Sequence, residues 1–134
     1  MTSHVVQLRV ALTVDDHEVA VAFYRDGLGM DTAAIWTGEQ GKAVMLEGGA
    51  ATLELFDERQ ASSVDAIEAG ERVSGPVRLA FTVGDLDAAL QRALAYGGVL
   101  VHAPVVTPWG DRNARVQAPD GLQITLFQAA DRQT

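Results

Sequence analysis

Two stretches decide the fold: "LRVALTV" from Leu8 to Val14 and "VRLAFTV" from Val77 to Val83. Both alternate with period two, as a strand with one buried face does. In the first, Val10, Leu12 and Val14 share one side, and Arg9, Ala11 and Thr13 share the other. In the second, Leu79, Phe81 and Val83 oppose Arg78, Ala80 and Thr82. The match extends beyond the strands. At an offset of 69 residues, Leu8–Met30 and Val77–Val99 share seven identities in 23 positions, four of them within the strand itself. A self-similarity of this kind identifies a duplicated structural unit.

Each copy continues in the same order. Asp16 and Asp85 stand where a carboxylate caps the exposed amides of a helix. The helical runs "HEVAVAFYRDGLG" and "LDAALQRALAYGG" both end at glycine, the residue a left-handed C-terminal cap prefers. Three short strand-like runs follow in each: "AIWTG", "KAVMLEG" and "ATLELFD", then "VHAPVV", "ARVQAP" and "LQITLFQ". Asp120–Gly121 marks a hairpin turn. The pattern predicts an α+β protein of two β-α-β-β-β modules, residues 1–56 and 77–134, together one structural domain. Residues 57–76, "DERQASSVDAIEAGERVSGP", read as a polar, solvated linker with at most a short helical stretch over Val64–Glu71. No chemistry is assigned to them.

Composition narrows the function. The chain has 134 residues, no cysteine and a net charge of −8. Disulfides, iron–sulfur clusters and cysteine nucleophiles are excluded. The acidic balance argues against nucleic acid, which attracts basic surfaces. Apolar runs fall far short of the ~20 residues of a membrane helix. The opening "MTSHVVQLRV" lacks the features of a signal peptide, so a cytoplasmic location is the expectation.

The elements "RVALTV.D......FYRDGLGM", "ATLELFD", "RLAFTVGDLDAAL" and "PWGDRNARVQAPDGLQITLF" resemble the vicinal oxygen chelate superfamily. That group holds glyoxalase I, extradiol dioxygenases, fosfomycin-resistance enzymes and bleomycin-resistance proteins. The resemblance runs from about Leu8 to Gln128. It implies a mixed sheet curled into an open cup with helices outside, and a homodimer whose ligand cleft draws on both chains. It also implies four metal-holding positions inside the cup, which fall here on Arg9, Glu54, Arg78 and Thr125. Only Glu54 is of a ligand type. Arginine is a permanent five-donor cation and cannot replace imidazole at a metal. The resemblance therefore points to the metal-free, bleomycin-resistance-type members, with no cofactor.

Strand parity adds Ala11, Ala80, Thr52, Phe56, Gln123 and Phe127 to the cup lining, and Trp36 and Trp109 stand at its edges. Two arginines, one carboxylate and aromatic edges suit a planar ligand bearing oxygen acceptors. The expected function is sequestration of an aromatic natural product or antibiotic. The alternative is a metal-free isomerase, cyclase or lyase on a polyketide-like substrate, with Arg9 and Arg78 stabilising an enolate and Glu54 moving the proton. Against that alternative, two nearby cations are expected to keep Glu54 acidic and a poor base. A purely structural arrangement, Glu54 bridging Arg9 and Arg78, is also compatible with the sequence. Phe23 and Tyr24 are expected in the core.

Overall fold

A computed structural model describes residues 4–130. β1 (Val5–Thr13) leads through Asp16 into α1 (His17–Val21), which continues as a π-helical turn over Ala22–Gly27. β2 (Thr32–Gly38), β3 (Gly41–Gly48) and β4 (Ala51–Phe56) complete the first module. The second holds β5 (Val77–Val83), α3 (Leu86–Ala95), β6 (Val99–Val106), β7 (Arg112–Gln117) and β8 (Gln123–Gln128). Between the modules lies α2 (Glu58–Ala69).

The predicted capping holds at both helices: Asp16 accepts from the Val19 amide and Asp85 from the Ala88 amide, each at 3.1 Å. Gly29 and Gly97 take positive φ after their helices. In the π turn the Leu28 amide reaches back to the Phe23 carbonyl. Tyr24 faces the sheet, whereas Phe23, expected in the core, is exposed and stacks edge-on against Tyr24.

All eight strands form one curved sheet in the order β2-β3-β4-β1-β5-β8-β7-β6. β1 runs parallel to β4, and β5 runs parallel to β8. The modules meet in an antiparallel β1–β5 seam, so they pair within one chain. In the seam each arginine lies opposite an alanine: Arg9 faces Ala80, and Arg78 faces Ala11.

The two faces of the sheet bury different things. On the outer face α1 covers Val44, Leu46 and Leu55 through Val21, and α3 covers Val83, Ala114, Val116 and Leu126 through Leu86 and Ala89. On the inner face, Ala61 and Val64 of α2 pack on Ala11, Ala43 and Phe56. The segment read as a solvated linker is thus largely a 12-residue helix laid inside the cup. Asp57 caps it by accepting from the Gln60 amide at 2.8 Å, and Gly70 ends it at φ 83°. Its first turn comes so close to β3 that any Cβ at Gly41 would collide with the Gln60 backbone. The pattern concealed it because its inward face carries two acids, Asp65 and Glu68, both buried. Acidic residues ordinarily read as solvent-facing. Among the described residues, no helix is long and apolar enough to cross a membrane.

Candidate functional site

The inner face encloses an open cavity of about 930 Å³, at the upper end of the range usual for small-molecule sites. Nine of the expected residues line it: Arg9, Trp36, Glu54, Phe56, Arg78, Ala80, Trp109, Thr125 and Phe127. Three do not. Ala11 is covered by α2. Thr52 is buried on β4 with its hydroxyl unpartnered. The Gln123 carboxamide accepts from Arg115 at 3.3 Å.

Each arginine crosses the seam and lies over a ring of the other module. The Arg9 guanidinium carbon is 4.9 Å from the Phe127 ring centre, and that of Arg78 is 5.5 Å from Phe56. Such stacking leaves the in-plane N–H groups available for a ligand. Arg9 donates from Nε to Gln7 at 3.2 Å and approaches Glu54 at 3.8 Å. Arg78 is buried and donates to the Thr125 hydroxyl at 2.7 Å. No described carboxylate lies within 4.0 Å of it. The arrangement in which Glu54 bridges both arginines is therefore not formed.

Glu54 is buried, and no described residue donates a hydrogen bond to it. Burial pushes its carboxyl above the usual carboxylate range. Arg78 and Arg9 oppose that shift, and the Glu68 charge reinforces it. The acidic Glu54 expected from the sequence is thus corrected: desolvation outweighs the two cations, neither of which gives the carboxylate a hydrogen bond.

Nor is Glu54 the only carboxylate inside the cup. Glu68, brought in by α2, accepts from the Thr125 hydroxyl at 2.5 Å, and from Arg115 and Asn113 at 2.9 Å each. Arg115, fully buried, also donates to Asp65 at 2.9 Å and to the Ser74 hydroxyl at 2.8 Å. Burial alone would raise the Asp65 carboxyl. The Ser74 amide and hydroxyl, the Arg115 charge and the Val73 amide overcome this and hold it at about 2. One signal for Glu68 existed in the sequence. Alternation along "RNARVQ" puts Asn113 and Arg115 on one face, and a buried arginine requires carboxylates from elsewhere in the chain.

The four positions that hold a metal in the resembled family do not make a ligand set here. Arg9 and Arg78 offer only donors, and the Thr125 hydroxyl is occupied by Arg78 and Glu68. Glu54 alone is a carboxylate without a hydrogen bond from any described residue. The histidines lie elsewhere: His17 contacts the Leu55 carbonyl, His102 contacts the Ala103 carbonyl on β6, and His4 is exposed ahead of β1.

A cup of paired modules around such a cavity defines a class, and the sequence agrees: residues 4–126 match the Glyoxalase/Bleomycin resistance protein/Dioxygenase superfamily, to which the chain belongs. Among solved structures, it is similar to methylmalonyl-CoA epimerase from Mycobacterium tuberculosis, with 30% identity over 97% of this chain and 92% of that one, at a TM-score of 0.68. A Streptomyces coelicolor methylmalonyl-CoA epimerase variant has 23% identity over 97% and 99%, at 0.65. A superfamily member from Vibrio splendidus 12B01 has 18% identity over 91% and 97%, also at 0.65. No curated protein matches the chain in sequence.

Proposed function

We propose that this protein is a metal-independent binding protein that sequesters a planar, oxygen-bearing aromatic small molecule, in the manner of drug-binding, self-protective members of its superfamily. One observation carries the reading: a roomy cavity in which two guanidinium groups are held over phenylalanine rings with N–H groups to spare. Planar oxygen acceptors match that donor array, and the ligand plane stacks against Trp36 and Trp109. The working unit in this proposal is a cytoplasmic homodimer. Its support is the exposed apolar edge of β2, where Ile35 is 60% and Trp36 47% exposed beside the cavity mouth.

A second reading, a metal-free isomerase, cyclase or lyase, draws support from Glu54. A buried carboxylate with a raised pKa, facing a cavity and free of hydrogen bonds, has the properties of a general base. The arginines would then stabilise an enolate.

One experiment separates the two. The purified protein is incubated with small-molecule extract of its source organism, re-isolated, denatured, and its released contents identified by mass spectrometry. Sequestration yields a compound in stoichiometric amount, unchanged from the extract. A compound altered from the extract and formed in excess of protein overturns the binding-only reading. Recovery of nothing above a denatured-protein control overturns both.

A further inference from the structure

The cavity holds two opposite charges that do not meet. Arg78 and Glu54 are both buried, both line the cavity, and flank Ala11 on the neighbouring strands of the seam. Arg78 is the strongest positive influence on Glu54, yet the two form no ion pair. Glu54 has only the long 3.8 Å approach of Arg9, and holding Arg78 desolvated without an anion of its own is costly, so something keeps the two apart. Two restraints do so. The Arg78 guanidinium lies over Phe56, and its Nη1 is tied to the Thr125 hydroxyl. Thr125 is in turn fixed by its own hydrogen bond to Glu68, which Arg115 and Asn113 anchor. Helix α2 thus supplies a clamp that withholds Arg78 from Glu54.

Building on the binding reading above, we propose that the clamp preserves a gap for one edge of the ligand, and that this edge carries an anionic oxygen for Arg78 and a hydroxyl donor for Glu54. The ligand class is a hydroxylated planar aromatic acid. An arginine already fixed in place gives up little conformational freedom on binding. A carboxylate without a hydrogen bond favours a ligand with a hydroxyl over one without it, because a buried acceptor left unmatched is penalised. Asn113 adds a second acceptor at the cavity wall: its amide nitrogen is used by Glu68, and its buried oxygen has no partner.

The test is isothermal titration calorimetry with four probes: 2-naphthol, 2-naphthoate, and 3-hydroxy- and 6-hydroxy-2-naphthoate. At least one hydroxynaphthoate is expected to bind about tenfold tighter than 2-naphthoate, a typical return for one hydrogen bond to a charged group. In Glu54→Gln that preference disappears while 2-naphthoate still binds. In Thr125→Val, which releases Arg78 towards Glu54, all three carboxylates weaken about tenfold and 2-naphthol does not. Thr125→Ser, which keeps the clamp, binds as the parent does. Equal affinity for the hydroxylated and plain naphthoates overturns the ligand class but leaves the binding reading standing. Unaltered carboxylate affinity in a folded Thr125→Val overturns the clamp. Failure of every probe to bind overturns the planar-ligand reading itself.

Discussion

The two halves of the cup descend from one repeated unit, yet their inner faces have opposite characters. In the first module the inner carboxylate, Glu54, is buried without a hydrogen bond and borders open volume. In the second, the equivalent position is Thr125, and its carboxylate arrives from outside the repeat as Glu68. There both Glu68 oxygens are engaged, and a fully buried arginine ties α2 to β7. Similar strands do not make similar sites. In one half the inner carboxylate is satisfied internally and serves as scaffold, while in the other it is left without a hydrogen bond and open to a ligand. Sites of the second kind ordinarily cost stability, and sites of the first kind supply it.

The sharpest way to break this contrast is to remove its central cation. Arg115→Met strands Asp65 and Glu68 in the interior, and a loss of about 3–5 kcal/mol is expected, visible as a large drop in Tm or as failure to fold. A loss below 1 kcal/mol would mean that α2 is not anchored by this network.

Acid should act on the same half. The Asp65 carboxyl lies at about 2 in the folded chain, below its ordinary 3.8. A depressed folded value means stability that is fully present above pH 4 and is lost as pH falls from there towards 2. The contribution is about 2 kcal/mol. Denaturant titrations at a series of pH values should show the decline, and Asp65→Asn should flatten it.

The two inner glutamates should then respond oppositely to neutralisation. Glu54→Gln removes a charge whose burial is unfavourable, because its folded pKa is raised. A raised folded value makes the charged form a net cost at neutral pH that vanishes as pH falls below the unfolded value. Glu54→Gln should therefore raise Tm at pH 7. Glu68→Gln weakens contacts to Arg115, Thr125 and Asn113 and should lower it by a few degrees. Shifts of the same sign would erase the proposed distinction.

The smallest effect on the fold is expected at the rim. Trp109 is 45% exposed, and Trp109→Ala should change stability by less than about 0.5 kcal/mol. On the binding proposal it should nonetheless reduce ligand affinity. Arg9→Ala and Trp109→Ala that both leave affinity unchanged would remove the arginine and tryptophan edges from the site.

Much of this molecule is determined locally. The seam strands, their inward arginines, the aspartate caps and the glycine helix ends are all written in short stretches of sequence; the order of strands in the sheet and the pairing of the modules within one chain are not. Strand alternation and capping depend on neighbours within a few residues. Nine of the twelve expected lining residues reach the cavity for the same reason: side-chain parity along a strand survives folding. What the tertiary structure alone decided is the role of residues 57–76. A helix with buried acids becomes favourable only once Arg115, Thr125 and Asn113, remote in sequence, converge on it, with Ser74 of the same segment folding back beside them. The same remoteness explains Glu54. Its ionisation depends on how far α2, Phe56 and Thr125 hold the cations away and how completely water is excluded. Desolvation and long-range charge are properties of the assembled interior and of no segment by itself.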